Sequence, residues 1–582
     1  MSGTPPPDEA GRPASARSNQ SLRPLALRLA GPATAAAASG LLLALAYPPF
    51  SLDGLIWVWA FPLLYALWFT WPQLERRRLY GFGLGYLAGF VFFLVTFSWI
   101  RQVSILGSFL LPAYLALFPA LWASIAANLT LPPDPESKSF PSGPVPTRLP
   151  WFSQSLGALR VAFLTAAVWT ALEWLRGWLF TGFGWNGLAV ALYRKLAVIQ
   201  AADLVGVTGL SFIVLFVGTI FFLTARRILL EARTGRFYPH LEFFAAMALL
   251  CALILYGITR LTNTRADFVD LRLLLVQLNI PQAIKWDPQF ESEILALYED
   301  FTRLYVDQEE LRPDLVLWPE TALPNDLDHP DNVAVIERLT ASGDFNLLFG
   351  IQEFDFANRT AYNSAALAGS GLDDVQVYRK IHLVPFGEFL PFRGRFPPFE
   401  WVAGHLIPSD FNSGSSTEPL YLSQPRVELI PLICFEDTLG RLARRFVRPA
   451  PQLLVNLTND GWFGESAASE QHMANSLFRC IELRRPMARA ANTGVSCVID
   501  ADGSLAGRGD PTRFLRIVRD IESGSTFVRG CLPATVRIPA VPAFTLFARW
   551  GDWFAAVVSL AGLPAVFRWL RPQRPGTSAA AA

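Results

Sequence analysis

The chain has 582 residues, 52% of them hydrophobic and 17% charged, with a mean hydropathy of +0.32. Soluble domains carry about a quarter charged residues, so this composition excludes an ordinary soluble protein and points to a membrane protein with a polar part. A formal net charge of +1 excludes a generally basic nucleic-acid binder, and no GxxxxGK[ST] loop occurs that would mark a nucleotide-driven machine. Residues 1–24 are polar and rich in Pro, Ser and Arg and read as a disordered tail. A membrane span needs roughly 20 mainly apolar residues. Eight stretches meet that test, at about 30–50, 54–71, 81–100, 104–130, 161–180, 196–225, 241–259 and 541–570.

Basic residues near the helix ends set the expected orientation. Arg12, Arg17, Arg23 and Arg28 precede the first helix, Arg76 to Arg78 follow the second, and Arg226, Arg227, Arg233 and Arg236 follow the sixth. Those loops are expected in the cytoplasm. With seven helices ahead of it, the long polar region lies on the opposite side, and Arg568, Arg571 and Arg574 return the C-terminus to the cytoplasm. The expected organisation is a cytoplasmic tail (1–24), seven helices (25–262), an extracytoplasmic domain (265–535), an eighth helix (540–571) and a second cytoplasmic tail (572–582).

Within the helices, Gly81, Gly85 and Gly89 recur every four residues, a pattern that packs helices closely. Glu173 and Arg176 are three apart in the fifth span, where they either pair with each other or meet a lipid head group. The proline- and serine-rich segment 131–158 reads as a flexible loop.

The domain from 265 to 535 has the pattern of an α/β fold. "LRLLLVQLNI" (271–280), "DLVLWPE" (314–320), "NLLFGIQEF" (346–354), "TAYNSAALAG" (360–369), "VELIPLICF" (427–435), "PQLLVNLT" (451–458) and "VSCVIDADG" (495–503) read as strands. Phe290, Ile294, Leu297, Phe301 and Leu304 mark the apolar face of a helix, and residues 470–485 a second helix.

Three positions in this domain carry chemistry. Cys434 ends an apolar run just before a charged, helix-forming segment, a placement expected to favour the thiolate if it lies at a helix N-terminus; a buried structural cysteine is the alternative. Glu320 follows a strand and Pro319, and Lys380 and Glu388 sit among Tyr378, Leu383, Val384, Phe386 and Phe389. Charges in such apolar company have partners. A base, a cation and a thiol are the parts of nucleophilic acyl transfer.

"WPE" around Glu320, "YRKIHLVPFGEFLPF" around Lys380, "LICFED" around Cys434 and "NLTNDGWFGES" (456–466) resemble the nitrilase superfamily with its Glu-Lys-Cys triad. More narrowly, with "VQLNIPQAIKW" (276–286), "EWLRGWLFTGFGWN" (173–186) and "ADLVGVTGLSF" (202–212), they resemble the apolipoprotein N-acyltransferase family. The resemblance implies eight transmembrane helices carrying an extracytoplasmic αββα sandwich in the bacterial inner membrane. It implies that Cys434 takes an acyl chain from a phospholipid as a thioester and passes it to the N-terminal amine of a diacylglyceryl lipoprotein. Glu320 would be the base and Lys380 the oxyanion partner. Supporting or substrate-binding positions would be Glu388, Glu436, Trp286, Asn363, Trp462, Phe463 and Phe435, the last replacing a tyrosine common in the family. The partners implied are membrane lipid, phospholipid donor and lipoprotein acceptor, with no nucleic acid or nucleotide.

The triad alone would also fit a membrane-tethered amidase. Phe392, Phe396, Phe399 and Trp401 form either a lid dipping into lipid or ordinary core. The five cysteines and five histidines show no metal-site spacing, so neither metal nor cofactor is expected.

Overall fold

A computed structural model describes residues 25–70, 77–132, 150–235, 237–263, 267–341, 345–355, 357–369, 371–395, 397, 399–400, 409–506 and 516–571. Both tails, Arg12, Arg17, Arg23, Arg76, Arg236 and Arg574, most of the loop after residue 132, and Phe396 and Trp401 lie outside the described residues. Among those described, seven helices are long and apolar enough to cross a membrane, and the apolar stretch Leu29–Leu45 is shorter.

The helices before the polar domain are α1 (Leu25–Leu45), α2 (Asp53–Thr70), α3 (Arg77–Thr96), α4 (Gly107–Ala126), α5 (Pro150–Arg176), α6 (Ala202–Thr234) and α7 (Leu241–Thr262). Helix α5 starts well before the expected boundary, so residues 150–158 are helical rather than loop. Proline is tolerated in a first helical turn, which has no use for its missing N–H. The polar residues that suggested a loop, Gln154 and Ser155, are buried, and the Ser155 hydroxyl accepts from Arg227 Nη1 at 3.2 Å. The glycine spacing on α3 does what its period suggests. A Cβ on Gly81 would lie 2.8 Å from the Ala123 carbonyl oxygen, and one on Gly89 would lie 2.9 Å from Pro119, both on α4. Glu173 and Arg176 are not partners in an ion pair: Glu173 accepts from Trp169 Nε1 (3.0 Å) and the Leu188 N–H (2.9 Å), and Arg176 turns over the Phe93 ring.

Among the described residues the polar domain holds two sheets. The first is ordered β11-β1-β2-β3-β4-β5 and the second β10-β9-β8-β7-β6. Their strands are β1 (Phe268–Gln277), β2 (Leu315–Leu317), β3 (Asn346–Asp355), β4 (Thr360–Gly369), β5 (Gly371–Arg379), β6 (Leu420–Leu422), β7 (Val427–Ile433), β8 (Gln452–Thr458), β9 (Met487–Ala491), β10 (Cys497–Ile499) and β11 (Gly530–Pro539). Strands β1, β2 and β3 pair in parallel, as do β7, β8 and β9; β1, β2, β3, β7 and β8 therefore read as nearly unbroken apolar runs, whereas short β9, interrupted by Arg489, has no such run and is not among the expected strands. Side-chain alternation divides the core. Leu271, Leu273 and Leu275 join the residues of the second sheet, while Leu274 and Val276 pack with Ile294, Tyr298, Ile336 and Leu339 of α8 (Glu291–Val306) and α9 (Pro330–Thr340).

The buried face of α8 is Ile294, Leu295, Tyr298, Thr302 and Val306; Leu304, expected on that face, is exposed because the stripe rotates away from it. Of the segment 495–503 only Cys497–Ile499 is strand, since "DADG" turns back at Gly503 with φ +82°. On the far side of the second sheet lies α10 (Ala468–Leu483), buried along nearly its whole length between that sheet and the helix bundle. After β11 the chain enters α11 (Trp553–Leu570).

Substituting Leu at Gly81 or Gly89 should lower the thermal unfolding midpoint in detergent by the equivalent of roughly 1–3 kcal/mol, the usual cost of overpacking. Gly83→Leu should not, because a Cβ there meets nothing within 4 Å. Equal losses at all three positions would show that the spacing has no packing role.

Candidate active site

Glu320, Lys380 and Cys434 each stand just beyond a strand's C-terminal end, after β2, β5 and β7. Glu320 is buried, and the chain leaves it through Thr321 at φ +50°. Gly350 on β3 makes this possible: a Cβ there would lie 2.6 Å from the Glu320 Cα and the Pro319 oxygen. Lys380 is also buried, with its Nζ 2.7 Å from Glu388 Oε1 and 3.7 Å from Glu320 Oε1. Asn363 on β4 joins the two carboxylates, its Nδ2 donating to Glu320 Oε1 at 2.8 Å and to Glu388 Oε1 at 2.9 Å. Burial works against the ammonium charge, but Glu388 and Glu320 outweigh it and hold Lys380 above its ordinary pKa.

Cys434 does not sit at the start of a helix able to stabilise a thiolate; only a short 3-10 turn, Cys434–Thr438, follows it. Burial and then the Glu320 charge push the thiol above its ordinary pKa, with Lys380 opposing them, so the sulfur is a protonated thiol at neutral pH. The residue itself has φ +52°, a left-handed backbone that costs a non-glycine residue about 1–3 kcal/mol. Glu436 and Asn456 hold it there. Glu436 Oε2 accepts from the Ile433 N–H (2.9 Å) and the Tyr378 hydroxyl (2.9 Å), Oε1 accepts from the Ile381 and His382 N–H groups (both 2.8 Å), and Asn456 Nδ2 donates to the Cys434 oxygen (3.0 Å). Glu436 therefore ties the segment after Lys380 to the cysteine turn, while burial lifts its carboxyl to about 7.

The remaining expected residues divide. Phe435 is buried and stacks on Phe183 (5.9 Å) and Trp185 (6.0 Å) of the segment after α5, and on His382 (5.9 Å). Phe463 meets the edge of Trp99 at 4.5 Å, whereas Trp462 is exposed. Trp286 is half-exposed and donates to Gln282 Oε1. Phe386 and Phe392 are exposed with Phe399 packed between them.

Two features escaped the sequence reading. Lys285, buried, donates through Nζ to the Glu320 carbonyl oxygen at 3.0 Å, and burial, partly offset by Glu320, lowers it to about 8. A lysine inside the apolar stretch "IPQAIKW" was the available signal. Beneath the cysteine turn, His472 lies between Asp460 (Nδ1, 2.9 Å) and Asp437 (Nε2, 2.9 Å), and Arg489 bridges the same two carboxylates at 3.0 and 2.6 Å. Burial opposes the histidine's charge, but the two aspartates hold it above its ordinary pKa. These four residues come from four segments, so no local pattern joins them. Among the described residues no group of His, Cys, Asp and Glu could hold a metal ion.

Residues 39–220 match the apolipoprotein N-acyltransferase N-terminal domain, and residues 275–521 match the carbon-nitrogen hydrolase family. The chain is 34% identical to an apolipoprotein N-acyltransferase of Geobacter metallireducens over 81% of its length and 85% of the relative's. It is 31% identical to one of Rhodopseudomonas palustris over 93% and 95% of the two chains. Among solved structures, a carbon-nitrogen hydrolase from Helicobacter pylori covers 52% of this chain and 95% of its own, at 14% identity and a TM-score of 0.32.

Because the thiol lies above its ordinary pKa, alkylation of Cys434 by iodoacetamide should accelerate about ten-fold per pH unit from pH 6 to 9 with no plateau. A rate that levels off below pH 8, followed by peptide mass spectrometry, would mean a thiolate at rest.

Proposed function

The chain belongs to the apolipoprotein N-acyltransferase family, and from that premise we propose that it transfers a phospholipid acyl chain through a thioester on Cys434 to the amine of a diacylglyceryl lipoprotein. The observation that carries the assignment of residues is the buried Lys380 ammonium held between Glu320 and Glu388. In the first half-reaction Glu320 takes the Cys434 proton as the sulfur attacks the ester carbonyl. The oxyanion forms beside Lys380, and the tetrahedral adduct collapses by breaking the ester C–O bond. The departing lysophospholipid oxygen takes the proton from Glu320.

In the second half-reaction the neutral lipoprotein amine attacks the thioester. Glu320 accepts its proton, the oxyanion again forms beside Lys380, and the C–S bond breaks. The proton returns to sulfur. Glu388 and Asn363 are positioning residues that fix Lys380 and Glu320, and Glu436 fixes the turn that carries the nucleophile. A protonated resting thiol suits this scheme, because the base and the nucleophile then exchange one proton within a dry site.

For the topology we propose eight spans, α1 to α7 and α11, in a bacterial inner membrane, with residues 265–535 as the catalytic domain on the periplasmic side. Arg78 donates to the Arg571 oxygen and lies over the Trp569 ring, so the basic end of α3 meets the basic end of α11, at the opposite end of α11 from the catalytic domain. Basic residues gathered at one end of a bundle favour the cytoplasm there. Acyl chains that stay in the bilayer avoid a cost of roughly 0.8 kcal/mol per exposed CH₂.

Incubated with phospholipid in detergent, the full-length protein should gain the mass of one acyl chain, removable by hydroxylamine, and Cys434→Ser should gain none. Glu320→Gln should slow the gain by about 10²–10⁴-fold. Acylation of the serine variant's protein elsewhere at the wild-type rate would remove Cys434 from the mechanism.

A further inference from the structure

A second cleft, with about 510 Å³ of internal space, opens where α5 ends and α11 begins. Its lining includes Trp174, Trp178, Trp550 and Trp553, and none of Glu320, Lys380 or Cys434. His382 lines the cleft and stacks on Phe435, which belongs to the cysteine turn. Among the described residues three arginines face the cleft, Arg441, Arg444 and Arg445, against one carboxylate, Asp552, which already accepts from Trp174 Nε1 at 3.2 Å.

The donors here are unevenly used. Arg441 is spent on the Gly177 and Thr181 carbonyls and lies over Trp178 at 4.4 Å. Arg444 gives one nitrogen to the Ala548 and Arg549 carbonyls, but its Nε is buried without a partner. The Nε2 of His382 is likewise buried and unpartnered, and burial, with Arg441 beside it, lowers that imidazole to about 4, so it is neutral at physiological pH. Arg445 is exposed, and among the described residues its guanidinium has neither hydrogen bond nor ion pair.

Unspent cationic donors converging on a cleft call for an anion, and guanidinium groups suit phosphate in particular. The location identifies the carrier of that phosphate. The cleft sits at the ends of two spanning helices and reaches Ala556 one turn into α11, and its rim carries exposed Trp178 and Trp550. Tryptophans and arginines at this depth mark the headgroup layer. We propose that the cleft is a phospholipid site separate from the acyl-transfer centre, in which Arg445, Arg444 and His382 bind the headgroup phosphate diester and the acyl chains run down the groove between α5 and α11.

The proposal does not depend on the chemistry assigned to Cys434 and is tested without it. In the full-length Cys434→Ser protein, delipidated and titrated with phosphatidylglycerol, native mass spectrometry should count one tightly held lipid that Arg445→Glu loses or binds at least about ten-fold more weakly. Arg445→Lys should restore part of the binding, and an unchanged thermal midpoint should show that the exposed substitution leaves the fold intact. Equal retention by Arg445→Glu overturns the site. Equal binding of diacylglycerol, which lacks the phosphate, overturns the headgroup recognition. Displacement of the lipid by millimolar inorganic phosphate overturns the lipid as its occupant and leaves a simple anion site.

Discussion

One buried positive charge organises the catalytic domain. Lys380 is almost completely out of water, where an isolated ammonium would be too costly to keep ionised. It stays charged because Glu388 and Glu320 face it, and each of those carboxylates depends on further donors. Asn363 supplies one to both, and the Val384 N–H supplies another to Glu388 at 2.8 Å. The loop after β5 folds back on itself to bring Glu388 beside Lys380. That fold is tied to the Cys434 turn through Glu436, whose two oxygens take N–H groups from both loops. Burial, and then the Glu320 charge, hold the neighbouring thiol above its ordinary pKa, with Lys380 opposing them.

The strain at Cys434 requires a rigid support, and the four-residue ionic network below it provides one. Asp437 is three residues from Cys434 and binds both His472 of α10 and Arg489 of β9. The Arg489 guanidinium and the His472 ring both face the two aspartates in a fully buried place, so each buried charge there has a partner. The cysteine turn is therefore pinned from above by Glu436 and from below by Asp437.

The parallel strands other than β9 were legible because strands buried on both faces lose their alternation and become continuous apolar runs; β9 is short and carries Arg489 in its middle. Strand β11, with partly exposed alternate residues, gave no such run and went unnoticed, as did β5, whose sequence was absorbed into the lysine motif. Glu320, Lys380 and Glu388 stood out as charges in apolar company. The state of Cys434 did not, because a short turn and a full helix look alike when only the next few residues are read. Its raised pKa comes first from burial and then from Glu320, more than a hundred residues away, and neither shows in the next few residues. Phe435 shows a different limit: its identity is local, but its partners Phe183 and Trp185 come from the helix bundle.

Those partners bear on why the catalytic domain is built into the bundle instead of tethered to it. Helix α10 is flanked by protein on both sides, and its polar residues are satisfied by the bundle: Gln471 donates to the Pro48 and Thr96 carbonyls, Asn475 pairs with Asn186, and Glu482 accepts from the Val207 N–H. Arg484, just past its end, binds Asp203 at 2.7 Å. Removing the bundle would strand these groups at once, and a buried polar group left without its partner costs about 1–3 kcal/mol. The same α10 carries His472 against Trp185 at 4.9 Å and holds the network under Cys434. The helices therefore complete the wall and the floor of the site, and the position of Cys434 is fixed as much by the spanning segments as by the domain that contains it.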